Sequence, residues 1–156
     1  MSKNHDMQRL MRHYRDVTGN KEIDMHEVAK FAHQMGWPLP KPVNPIDMLA
    51  KQFSKAARDE IRHDKETKRP YRANHAFSPD GQQTLWIDID EAPRGPMVKS
   101  FVQRREQMVG DAVQLTFDME HWNRVNPKDE PILLPMDFTD DVEWRKNSEG
   151  TEEEAV

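Results

Sequence analysis

Apolar positions recur along the first third of the chain at helical spacing. Met7, Leu10, Met11, Tyr14 and Val17 fall on one face of a helix expected over 5–17, which Thr18-Gly19-Asn20 ends. A second helix has a clear entry signal. Asp24 stands as N-cap, Glu27 follows three residues later as in a capping box, and Ile23 is placed to staple onto Val28. Its inward face is Met25, Val28, Ala29, Ala32 and Met35, and Gly36 before Trp37-Pro38 stops it. Residues 38–45, PLPKPVNP, hold four prolines and form a stiff, extended link.

A third helix is expected over 45–65. Asn44 as N-cap, Pro45 at the first helical position and Asp47 in the first turn agree on its start. Ile46, Leu49, Ala50, Phe53, Ala56 and Ala57 cluster on one side. Lys51, Lys55, Arg58, Arg62 and Lys65 fall on the opposite side, within an arc of about 80°. A solvated face with intrahelical pairs such as Lys55 with Asp59 is the plainer account, but no anion interrupts the stripe itself.

The period then changes. RPYRANHAF and QQTLWIDID are two runs of β character separated by Ser78-Pro79-Asp80-Gly81, a hairpin signal. Alternation over an even-parity turn sets Leu85, Ile87 and Ile89 on the core face and Tyr71, His75, Phe77 and Trp86 on the other. Ala92-Pro93-Arg94-Gly95-Pro96 breaks the chain before a fourth helix, over 96–124. There Val98, Phe101, Arg105, Met108, Ala112, Leu115, Met119 and Trp122 follow a 3-4 alternation, with Val102 and Val109 beside it. Val113, Leu115, Phe117 and Met119 also alternate as a strand would, so a strand is the competing reading of that stretch. Beyond Asn126, PILLPMDF reads as an extended segment lying on the domain and DDVEWRKNSEGTEEEAV as a polar, acidic, partly disordered end.

Composition sharpens this picture. The 156 residues suit one domain, or one domain with an appendage, and a charged content of 33% against 35% hydrophobic residues leaves only a modest core. The net charge of -5 is unevenly spread: residues 1–75 carry 15 Lys+Arg and 10 Asp+Glu, whereas 76–156 carry 8 and 18. That asymmetry suggests a basic working surface and an acidic tail. The chain has no cysteine, which excludes disulfides, thiolate zinc sites and a cysteine nucleophile. No run approaches the roughly 18 apolar residues of a membrane span, and the expectation is a soluble, cytoplasmic protein without membrane association.

Three helices, a hairpin directly after the third and a further helix give the element order of a winged helix-turn-helix domain, which residues 5–90 resemble. The resemblance implies an α+β, mostly helical fold: a winged-helix-like nucleic-acid-binding domain over 1–95, a long helix over 96–124, and an extended segment with an acidic tail over 125–156. It implies duplex DNA as partner, with the third helix in a major groove. Lys51, Gln52, Lys55 and Arg58 are then candidates for base edges, and Arg62, Lys65, Lys68, Arg69 and Arg72 for phosphates. Tyr71, His75 and Trp86 on the hairpin either stack on bases or pack on a neighbour.

The seam of the fourth helix suggests a homodimer through Phe101, Met108, Leu115, Met119 and Trp122. Asp88, Asp90 and Glu91 with His63, Asp64 and His75 are of the type that binds divalent metal, but no spacing among them fixes a coordination geometry. No phosphate-cradling Gly-rich loop, G-x-S-x-G elbow or H-E-x-x-H occurs. The expectation is a non-enzymatic DNA-binding protein needing no cofactor or metal, a transcriptional regulator or an accessory of a DNA-processing system. An adaptor docking on an acidic protein is the second reading and a metal-dependent nuclease the third.

Overall fold

The computed structural model describes residues 2–81 and 83–152. The fold is α+β. In chain order the elements are α1 (Lys3–Thr18), α2 (Met25–Gln34), α3 (Pro45–Asp59), β1 (Ile61–His63), β2 (Pro70–Arg72), β3 (Asn74–Phe77), β4 (Leu85–Asp88), α4 (Arg94–Val125) and α5 (Thr139–Glu152). The chain divides into two compact units, Met1–Gln52 and Phe53–Val156, with the boundary inside α3. The divisions expected after residues 95 and 124 both fall within the second unit. No helix of the described residues is long and apolar enough to cross a membrane.

In the first unit α1 starts on Ser2, whose side chain accepts from the His5 N–H, and ends on Gly19 at φ 71°, where the left-handed turn sends its N–H back to the Arg15 carbonyl. The Asp24 carboxylate caps α2 by accepting from the His26 N–H. Glu27 does not close a capping box; it pairs with Lys30 instead. The helices meet where Phe31 takes Tyr14 edge-on at 5.3 Å and His13 at 5.8 Å, and Val28 is buried. Met25 and Met35, expected inward, are exposed. Met25 lines, with Met7, Leu10, Met11 and Val28, an apolar groove of about 700 Å³, which Trp37 and Leu39 close on the proline segment.

The second unit departs from expectation at the end of α3. The helix stops at Asp59 rather than 65, although no glycine or proline stops it. Its terminal carbonyls are claimed from outside: the Asn74 amide donates to the Ala57 carbonyl, and the Ala73 N–H to that of Glu60. Arg62 and Lys65 therefore leave the helix. Arg62 lies in β1, which pairs antiparallel with β2 (Ile61↔Arg72, Arg62↔Tyr71, His63↔Pro70) to make a hairpin the sequence reading did not foresee. Asp64 shapes its turn by accepting from the Glu66 and Thr67 N–H groups, and Lys68 takes the left-handed conformation at φ 62°.

β2 runs on through Ala73 into β3, which changes partner and pairs with β4 in the register Asn74↔Asp88, His75↔Ile87, Ala76↔Trp86, Phe77↔Leu85. Ala73 is fully buried at the crossover, and its carbonyl accepts from the Ile89 N–H. The hairpin is the expected one, but its faces are exchanged. Phe77 opposite Leu85 leaves an odd loop, 78–84, so His75 and Phe77 share a face with Ile87 and Leu85, while Trp86 stands on the other face with Ala76. A one-residue change of parity moves every side chain of one strand to the opposite face.

α4 forms over a slightly longer range than expected, about 48 Å at the usual rise. Its first turns lie on β3. Met97 and Ser100 are buried, the Ser100 hydroxyl donates to the Ala76 carbonyl at 2.9 Å, and the Gln103 amide both donates to and accepts from the Ser78 backbone. Near its other end Asn123 makes a matched pair of bonds with the Ile132 backbone, each 2.9 Å, holding the extended 131–136 segment against Thr116 and Met119. The acidic end is helical from Thr139 to Glu152, with Asp137 accepting from the Thr139 N–H and Asp140 and Asp141 in the first turn, where the helix dipole favours anions. A partly disordered acidic tail was expected; Thr139–Glu152 instead form a helix, and residues 153–156 lie outside the described residues.

Candidate functional site

Three arginines from separate elements converge on one concavity. Arg58 comes from the last turn of α3, Arg72 from the end of β2 and Arg104 from α4; together they line a pocket of about 290 Å³ over β3 and β4. Asn74, His75, Ser78, Thr84, Ser100, Gln103 and Gln107 complete its polar wall and Trp86 its flat apolar side. Among the described residues no Asp or Glu lines it, although the whole chain is acidic.

The local structure explains how the pocket holds its shape. The Arg58 guanidinium lies over the Trp86 ring, 5.4 Å from the centroid, an arrangement worth about 0.5–1 kcal/mol at an exposed site. His75 is only 7% exposed; its Nε2 donates to the Arg72 carbonyl at 2.8 Å and its ring meets Phe101 edge-on at 5.7 Å. A carbonyl only accepts, so that bond requires the proton on Nε2. His75 thereby fixes the backbone of Arg72 and joins β3 to α4. Of the three hairpin aromatics, His75 and Trp86 are at the pocket, whereas Tyr71 donates its hydroxyl to Asp90 at 3.0 Å on the other hairpin.

The expected stripe is redistributed. Lys51 and Gln52 lie on the first-unit part of α3. Lys55 is paired with Asp59 at 2.7 Å, the intrahelical bond foreseen as the plainer account, and that carboxylate holds the ammonium pKa above its usual value. Arg62 is held in a clamp. Its guanidinium reaches Asp88 through both terminal nitrogens at 2.8 Å, Asp90 at 2.8 Å and Glu60 at 2.9 Å. Asp88, then Asp90, raise its pKa further, and Arg62 in turn holds the Asp88 carboxyl below the ordinary carboxylate range. Lys65, Lys68 and Arg69 sit in and beside the β1–β2 turn.

Asp88 and Asp90 thus bind a cation supplied by the chain, and no group of three or more His, Cys, Asp or Glu among the described residues could hold a metal ion. The expected dimerisation residues divide as well: Phe101, Met108, Leu115 and Trp122 are exposed, while Met119 is half-buried against the 131–136 segment. Arg104, Gln103 and Gln107 were not singled out from the sequence. Their place depends on which face of α4 rests on β3, and nothing in their spacing carries that. Comparison with protein-family models, with curated proteins and with solved structures gives no match.

Proposed function

We propose that this is a small non-enzymatic DNA-binding protein, a regulator or an accessory of a DNA-processing system, whose second unit grips the phosphate backbone. One observation supports the reading above the rest: Arg58, Arg72 and Arg104 line a single pocket that, among the described residues, contains no carboxylate. Three like charges in one concavity repel, and the contact of Arg58 with Trp86 offsets only a small part of that repulsion. An external anion offsets the rest. A guanidinium offers a planar fork of donors that matches two phosphate oxygens, and three forks around one concavity accept a backbone phosphate with its sugar.

Trp86 under Arg58 supplies a flat apolar surface beside the charge, suited to a sugar or base edge. Lys65, Lys68 and Arg69 on the neighbouring turn give further phosphate contacts in the same unit. With α3 ending at Asp59, this reading places affinity on the hairpins and α4 more than on a long helix inserted in a groove.

The test is a polarisation titration of the full chain against a random-sequence duplex over a range of salt, beside single-stranded DNA and RNA of equal length. Six phosphate contacts correspond to a slope of log K against log salt of about -5. A flat salt dependence, or no duplex binding at low salt, overturns the reading.

A further inference from the structure

Between Arg94 and Glu120 the charged residues of α4 are sorted by sign, and Arg124 in the last turn stands outside that order. From Arg94 to Arg105 all are basic (Arg94, Lys99, Arg104, Arg105), and from Glu106 to Glu120 all are acidic (Glu106, Asp111, Asp118, Glu120). A lone helix gains nothing from this order, since its own dipole favours anions at the N-terminus and cations at the C-terminus. The middle of the same helix exposes a continuous apolar face made by Val98, Phe101, Val102, Met108, Val109 and Leu115. Met108, near its centre, is 56% exposed. Phe101 alone of these makes a recorded ring contact, edge-on with His75. A contiguous exposed apolar face marks an interaction surface.

We infer that α4 pairs antiparallel with α4 of a second copy of this chain. Antiparallel pairing sets the basic stretch of each helix beside the acidic stretch of the other, whereas parallel pairing sets like beside like. The 3-4 alternation fixes the register. Val98 lies opposite Leu115 of the second copy, Phe101 opposite its Ala112, and Arg105 opposite its Met108, with each layer occurring twice by symmetry.

Each layer is compatible in size or chemistry. Large Phe101 meets small Ala112, and the Arg105 stem covers Met108 while its guanidinium stays in solvent, where Glu106 already lies 3.6 Å away. Val102 then flanks the seam against Val109 of the second copy. The paired stretch ends at Leu115. Beyond it the 132–135 segment of the same chain lies beside Thr116 and Met119, while Phe117 and Trp122 stay exposed outside the paired stretch.

The full chain should therefore sediment at twice its monomer mass, and Met108→Glu should raise the dimer dissociation constant at least about 100-fold. Because the chain has no cysteine, orientation is read directly by introduced thiols. Val102 and Val109 of opposite copies are offset by only about 3 Å along the axis, and two copies of Val102 by about 13 Å. Oxidation of a mixture of Val102→Cys and Val109→Cys chains should give the crossed disulfide, while Val102→Cys alone should remain uncoupled. A monomer throughout the accessible concentration range overturns the inference, as does a dimer indifferent to Met108→Glu or efficient self-coupling of Val102→Cys, the mark of parallel pairing.

Discussion

Arg62 and Arg72 stand one step apart in the same two-stranded hairpin, yet they occupy opposite chemical situations. Arg62 pairs across the ladder with Tyr71, and both reach Asp90; Arg72 pairs with Ile61, and its side chain emerges on the other face, at the pocket. One face is saturated by three carboxylates, while the other gathers three arginines and no carboxylate. A cation that structure already neutralises has little left for a ligand; one held among its like has most of its charge to give. The cationic residues of this chain differ by what surrounds them, and the comparison predicts how each should respond when changed.

The largest effect expected is on binding. Arg58→Glu with Arg72→Glu should weaken duplex DNA binding about 100-fold or more, since two phosphate contacts become two repulsions, and should flatten the salt slope by about 2. Arg62→Gln should change affinity less than about 3-fold while lowering the melting temperature, because Asp88, Asp90 and Glu60 lose their shared partner. Polarisation and thermal unfolding on the same preparations separate the two outcomes. Equal loss of affinity in both variants would remove the distinction between the faces.

Next in size is the joint between the faces. Ala73 has no exposed surface where the continuous strand changes partner, and both its N–H and its carbonyl are engaged. Ala73→Leu must push the two hairpins apart and should cost about 1–3 kcal/mol of stability, measured by urea unfolding. Its effect on binding should follow, through displacement of Arg72.

Much of this arrangement was legible in the sequence, and the parts that were not share a cause. The caps at Asp24 and Asn44, the glycine stop at Gly19, the hairpin around Asp80-Gly81 and the long fourth helix all rest on interactions within a few residues, which local pattern carries. The end of α3 was not legible, because it is set by Asn74 and Ala73, more than a dozen residues away. The hairpin faces turned on the parity of the 78–84 loop, which alternation cannot fix without the register. Arg58 and Arg72 were singled out as cations, but their convergence with Arg104 is a tertiary fact. Arg62 was singled out for the same charge and proved to be an internal one; the acidic run Asp88-Ile89-Asp90 was its visible signal, read as a weak metal motif because the partner cation lay on a presumed helix.

A smaller effect is expected where α4 meets β3. Ser100 is buried and its hydroxyl donates to the Ala76 carbonyl, so Ser100→Ala leaves that acceptor short of a partner and should cost about 1 kcal/mol. Because Gln103 still holds the Ser78 backbone, the pocket should keep its shape, and DNA affinity should stay within about 2-fold. A larger loss of affinity than of stability would mean that the pocket depends on Ser100 directly.

The smallest effect separates the two faces by pH. Asp88 has a folded pKa below its ordinary value, chiefly because Arg62 donates to it and secondarily because the Asp90 N–H does. The stability this contributes is therefore present above the unfolded carboxylate value of about 3.9 and is lost as pH falls through the lower folded value. Tyr71 works at the other end. Its bond to Asp90 raises the phenol, so its contribution is complete below the unfolded value of about 10 and disappears as pH rises past the folded one. The clamp face should thus give a stability plateau between about pH 4 and 10 with a decline on each side. Arg62→Gln should shallow the acid decline, and Tyr71→Phe should remove the share of the alkaline one that comes from this phenol, both read from urea midpoints across the range. If Arg62→Gln leaves the acid limb as steep as in the parent chain, Asp88 is held by something other than Arg62, and the saturation that distinguishes the two faces is lost.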